Sequence, residues 1–143
     1  MFELGKKIGA ELIAGDLILL NGPLGAGKTL LTQGIGGALG ITGITSPTFV
    51  ISRVHQADLP LIHVDAYRLL QSESPELSLD DLDLDSERES AVTVIEWGGQ
   101  TAARLSDERL EITIDRSDIT ASGNERRIVT ALSFGLRWEN FTL

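Results

Sequence analysis

Apolar positions run along this chain in two rhythms. Phe2, Leu4, Ile8, Leu12 and Ile13 recur at helical spacing with charges between them, predicting a short amphipathic helix over residues 2–13. Gly15 and Asp16 break it. Leu17-Ile18-Leu19-Leu20 follows with no polar alternation, the pattern of a strand buried on both faces of a parallel sheet. Residues 30–39 return to helical spacing and close at Gly40. Strand-forming residues fill 49–55, and 59–64 predict a further strand with Pro60 at its entrance, where a missing N–H does least harm. Residues 65–70 leave it as a helical turn, and Leu77, Leu79, Leu82 and Leu84 mark a short apolar stripe. Val92-Thr93-Val94-Ile95 reads as a second buried strand. Residues 110–114 and 128–132 alternate with period two, predicting antiparallel strands with one face in the core and a loop over 118–124. No internal repeat or long linker interrupts this order, so one domain over 1–143 is expected.

Charge changes the picture in one place. Twelve Lys and Arg against 21 Asp and Glu leave a formal −9, which argues against broad binding to a phosphate backbone. Residues 73–89, however, hold eight acids against Arg88 alone, a net −7, so the remaining chain carries only −2. That near-neutral body can still meet RNA with a partner's help. DNA is not expected as a partner. The absence of Cys excludes a disulfide framework and a Cys-ligated metal, and His55 and His63 are too few for a multi-His site. Glu3, Lys6, Lys7 and Glu11 interrupt what would be the apolar region of a signal peptide. No run approaches the ~18–20 apolar residues of a membrane span. A cytoplasmic protein with no membrane partner is the expectation.

The chemistry sits between the first strand and the helix after it. Gly22-Pro23-Leu24-Gly25-Ala26-Gly27-Lys28-Thr29 fits the phosphate-loop pattern G-x-x-x-x-G-K-[ST]. A glycine-rich turn with a chance lysine would fit it too, but the flanking strand and helix supply the context the pattern requires. Gly25 and Gly27 let the backbone turn its N–H groups onto a polyphosphate, and the helix beginning near Lys28 aims its partly positive end at the same anion. Lys28 adds a full charge near the β- and γ-phosphates, and the Thr29 hydroxyl is suited to Mg²⁺. The fold expected is α/β: a P-loop NTPase-like three-layer domain with a mixed sheet, parallel at its centre and antiparallel toward the C-terminus.

P-loop enzymes place a further acid at the end of a buried strand. Asp65 and Glu96 compete for that role, since each ends an apolar strand run at what would be the carboxyl edge of the sheet. Periodicity does not decide between them, and either could be a helix cap or a turn acid. Ser46-Pro47-Thr48 follows the P-loop helix where switch segments approach a γ-phosphate, or is simply a turn. Trp97 is either core or a neighbour of the site. His63, two residues before Asp65 and so on the same strand face, reads more readily as a structural histidine. Arg68 is open between phosphate, a partner and the acidic segment.

Together these blocks resemble the TsaE family of small bacterial P-loop ATPases of tRNA modification. The residues that carry the resemblance are the loop at 22–29, Ser46-Pro47-Thr48-Phe49, His63-Val64-Asp65-Ala66-Tyr67-Arg68-Leu69 and Ile95-Glu96-Trp97. The resemblance implies an ATP- and Mg²⁺-dependent ATPase serving a TsaB–TsaD-type heterodimer, which installs threonylcarbamoyl on the adenosine beside the anticodon of tRNAs reading ANN codons. The modification chemistry then belongs to the partner, ATP hydrolysis resets the complex, and tRNA is reached through it. It also implies that Thr29 and Glu96 ligate Mg²⁺ while Lys28 and the amides of Leu24, Gly25, Ala26, Gly27, Thr29 and Leu30 hold nucleotide. By the same resemblance Asp65 is the second acid of hydrolysis, Ser46 and Thr48 form the switch-like segment, and Trp97 lies near the nucleotide. Two departures stand out. Pro23 occupies a position where the family more often has Asp and offers no N–H, and Asn124 falls where relatives often carry a basic residue. A stand-alone small-molecule kinase is the main alternative. It would need an Arg-bearing lid, for which Arg68 and Arg88 are the only central candidates. A GTPase is disfavoured because neither Asn124 nor Asn140 is followed by Lys.

Overall fold

A computed structural model of the protein describes residues 1–46, 51–82, 84–119 and 125–143. Its centre is a six-stranded mixed sheet built from β1 (Leu17–Asn21), β2 (Ser52–His55), β3 (Leu61–Asp65), β4 (Val92–Glu96), β5 (Arg109–Ile119) and β6 (Glu125–Phe134), in the order β2-β3-β4-β1-β5-β6. β3, β4, β1 and β5 run parallel, while β2 and β6 pair antiparallel at the two edges. β1, β3 and β4 are buried along nearly their whole length, as their compact apolar runs predict, whereas β5 alternates.

Alternate residues of these strands feed two cores. Ile18, Leu20, Leu61, Val92, Val94, Leu110, Ile112 and Ile114 pack toward α1 (Phe2–Gly9) and α2 (Lys28–Ala38). Leu17, Leu19, Ile62, Val64 and Ile95 pack on the other face, against α3 (Pro75–Asp80), α4 (Leu84–Arg88) and α5 (Gly99–Ala103). Three layers result. Period-two geometry then puts His63, Asp65 and Glu96 on the α2 side, because they fall in step with Leu61, Val92 and Val94. No helix among the described residues is long and apolar enough to cross a membrane.

Several boundaries move. The first helix stops at Gly9 rather than residue 13, because Asp16 Oδ2 accepts the Ile13 N–H at 2.9 Å and folds 13–16 into a turn. Leu12 still reaches the core, whereas Ile13 is 56% exposed. The strand expected at 49–55 is a strand over Ser52–His55, with 47–50 outside the described residues. β5 is not simply antiparallel: it pairs parallel with β1 and antiparallel with β6. Period two reveals which face is buried but not the direction of the neighbour. That hairpin ladder reaches Ile119 and Glu125, and 120–124, including Asn124, lie outside the described residues.

Candidate functional site

β1 has neighbours from the far end of the chain on both sides, so the carboxyl ends of β1, β3 and β4 surround a crevice of the kind where open α/β sheets bind ligands. The loop at 22–29 fills its floor. Gly22 has φ +143°, and a Cβ there would run into the Ile114 carbonyl, so only glycine lets the loop leave β1 so closely against β5. Gly27 has φ +109° and caps α2 without any side-chain hydrogen bond. The first N–H groups of α2 therefore lack both an intrahelical acceptor and a side-chain cap, and face the crevice mouth. The Ala26 side chain is fully buried, and its N–H is bonded to the Pro23 carbonyl at 3.1 Å.

Lys28 is 5% exposed. Its Nζ donates to the carbonyls of Gly22 at 2.8 Å and Pro23 at 3.0 Å, and lies 3.6 Å from the centroid of the Trp97 ring. Burial lowers its pKa from the ordinary 10.5, against the opposing pull of the Glu96 and then the Asp65 carboxylates. Trp97 holds φ +64°, a left-handed conformation that bulky residues adopt at a cost. Its N–H bonds the Leu20 carbonyl at 3.0 Å, and its ring packs 5.1 Å from that of Tyr67.

Glu96 ends β4 and is 3% exposed. The Thr29 hydroxyl lies 3.1 Å and 3.2 Å from its two oxygens, and His63 Nε2 lies 2.8 Å from Oε1. Thr32 Oγ1 donates to the Lys28 carbonyl at 3.1 Å and sits 3.5 Å from the same Oε1. Asp65 stands beside Glu96 in the β3–β4 register, half-buried, its Oδ1 accepting the Tyr67 N–H at 3.0 Å. A cleft of about 220 Å³ opens over this cluster, lined by Leu24, Gly25, Gly27, Lys28, Thr29, Leu30, Ser46, Asp65, Glu96 and Trp97. Two roomier grooves elsewhere, about 340 and 310 Å³, lack such converging polar groups.

Most of the residues singled out in the sequence thus meet at one cleft. Ala26 is buried and does not line the cleft, and Thr48 lies outside the described residues. Arg68 is exposed and does not line the cleft, and Arg104 pairs with Asp80 of the acidic segment at 2.8 Å. Three contacts escaped the sequence reading. His63 is joined to Glu96, Thr32 approaches the same carboxylate, and the Met1 side chain lies over Gly27. Only His63 carried a usable signal, its two-residue offset from Asp65. As a donor set for a cation, Thr29, Glu96 and Asp65 offer hard oxygens. No cluster of three or more His, Cys, Asp or Glu able to hold a metal occurs among the described residues. Mg²⁺ is commonly held by one or two carboxylates together with substrate phosphates.

A parallel-centred sheet with this glycine loop between its central strand and the next helix defines a P-loop NTPase-like α/β protein. The family model for threonylcarbamoyl adenosine biosynthesis protein TsaE matches residues 1–128. A TsaE protein of Streptomyces coelicolor is 46% identical over 142 residues, covering 96% of this chain and 93% of that one. The Bacillus subtilis TsaE is 39% identical over 138 residues, covering 95% and 81%. The crystal structure of Bacillus subtilis YdiB superposes with a TM-score of 0.71 at 33% identity, covering 96% of this chain and 82% of that one. The chain belongs to the TsaE family.

Proposed function

We propose that the protein is a Mg²⁺-dependent ATPase of tRNA threonylcarbamoyladenosine biosynthesis that works with a TsaB–TsaD-type heterodimer. The observation that carries the ATPase reading is the Thr29 hydroxyl set against the Glu96 carboxylate at 3.1 and 3.2 Å, at the foot of a cleft floored by the phosphate loop. Thr29 and Glu96 would hold Mg²⁺, whose charge would offset that building up on the β- and γ-phosphate oxygens. The amides of Leu24, Gly25 and Gly27 and the open N–H groups of α2 bind the phosphates, with Pro23 contributing no donor and the Ala26 N–H bonded to the Pro23 carbonyl. Lys28 exchanges its bonds to Gly22 and Pro23 for phosphate oxygens. Asp65, next to Glu96 in register, orients the attacking water and receives its proton. Trp97, with Tyr67 packed against its ring, walls one side of the cleft, and Ser46 lines another. Family membership supports the place in the tRNA modification, with the partner doing the group transfer and tRNA met through it. A cytoplasmic location accords with that role.

Hydrolysis of ATP by the purified protein, with and without a cognate TsaB–TsaD pair, tests this directly. Weak turnover alone, stimulation by the pair and loss of both in a folded Lys28→Ala variant are expected. Glu96→Ala and Asp65→Ala should each lower the rate by about 10²-fold or more while nucleotide still binds. An unchanged rate in both would overturn the assignment of the site. Robust hydrolysis indifferent to the pair would point to another P-loop role, and phosphoryl transfer to a small acceptor would then identify a stand-alone kinase.

A further inference from the structure

The Glu96 carboxylate is held unevenly. Oε1 is met by His63 Nε2 at 2.8 Å, Thr29 Oγ1 at 3.1 Å and, more distantly, Thr32 Oγ1 at 3.5 Å, whereas among the described residues Oε2 has Thr29 alone at 3.2 Å. The Thr32 proton is directed to the Lys28 carbonyl, which leaves His63 as the short, dedicated donor from the sheet. His63 is fully buried, and its strand pairs directly with that of Glu96, so neither end of the contact swings with a loop. With its proton on Nε2 the ring donates to Oε1, and Nδ1 is left buried without a partner among the described residues. Folded proteins retain few such orphaned groups. A side chain kept only to fill space would not need one.

We propose that His63 is a positioning residue for metal binding: it anchors Oε1 of Glu96 so that Oε2 is presented, in a fixed direction, to a divalent cation shared with the nucleotide phosphates. This rests on the nucleotide-and-metal reading above and adds to it the residue that orients the carboxylate. Hydrogen-bonding partners behind a ligand of this kind commonly tune metal affinity without touching the metal. The histidine acts through Glu96, so its influence should vanish when Glu96 is absent.

Mn²⁺ binding to the protein–ADP complex, followed by the electron paramagnetic resonance signal of free Mn²⁺, reads this without any turnover. His63→Leu is expected to weaken Mn²⁺ binding by about 10–100-fold. ADP affinity in EDTA should be unchanged. His63→Gln, which restores an N–H toward Oε1, should recover most of the Mn²⁺ affinity. In a Glu96→Ala background, His63→Leu should cause no further loss. If the leucine variant does not fold, His63→Asn retains a polar side chain that stops short of Oε1 and should show the same weakening. Mn²⁺ affinity unchanged in a folded His63→Leu or His63→Asn variant would overturn the proposal. So would an equal loss of ADP binding in EDTA, or a loss that persists without Glu96. Wild-type protein that binds ADP no better with Mn²⁺ than in EDTA would instead remove the metal reading itself, and this proposal with it.

Discussion

Lys28 concentrates the electrostatic tension of the site. Its ammonium is buried among loop carbonyls and the Trp97 ring, and burial lowers its pKa below the ordinary 10.5. The sign of the consequence follows from proton counts. Between the lowered folded value and 10.5 the unfolded chain binds the proton more fully than the native one, so native stability rises with pH across that window. Urea denaturation of wild type and Lys28→Met should show the difference between them shifting in favour of wild type as pH rises from neutrality toward 10.5. A pH-independent difference would mean that burial does not weigh on this lysine. The loop that holds Lys28 and Thr29 was legible because it is a local pattern, complete within eight residues. The contact of His63 with Glu96 was not, since it spans 33 positions and exists only through the β3–β4 register. Nor could periodicity show that Trp97 turns left-handed to lie against Lys28.

Helices α1 and α2 meet through glycine, and this sets how α2 is held beneath the loop. A Cβ on Gly5 would strike the Leu31 carbonyl, and one on Gly34 the Phe2 carbonyl, both rigid backbone atoms. Gly5→Ala or Gly34→Ala should therefore cost about 1–3 kcal/mol in urea denaturation, the range for overpacking a filled interior. Gly37 lies in the same helix, but a Cβ there would touch only the Phe2 ring at 3.5 Å. Gly37→Ala should be neutral or stabilising by up to about 1 kcal/mol, from helix propensity alone. Equal losses at all three positions would refute the close-packing account. At this scale the sequence predicted the buried strands and α2 well, because an unbroken apolar run or a helical period reflects burial directly. It overran α1 because Asp16, outside the helical pattern, captures the Ile13 N–H. The short helix α5 passed unnoticed, as five residues hold little more than one turn of periodicity.

The chain's last described segment closes the molecule. Trp138 is fully buried against the α1–α2 face, and Arg137 reaches back to Asp16 at 2.8 and 3.0 Å and to the Glu11 carbonyl at 2.7 Å. Asp16 is 4% exposed and has Arg137 as its ion-pair partner. Arg137→Ala should cost about 1–3 kcal/mol, below the usual loss for breaking a buried pair because the guanidinium is partly solvated. Trp138→Ala should cost about 3–5 kcal/mol. Thermal or urea denaturation measures both, and a change below about 0.5 kcal/mol in either would mean that this segment is not part of the cooperative core. Sequence alone determined the phosphate loop, the two-faced burial of the parallel strands and the resemblance to TsaE. Each is written in neighbouring residues, where backbone sterics and side-chain period suffice. Tertiary structure decided the strand order, the parallel partner of β5, the meeting of His63 with Glu96 and the bond of Arg137 to Asp16. Those depend on which distant segments bury one another best, a free-energy balance over the whole chain that no local window contains.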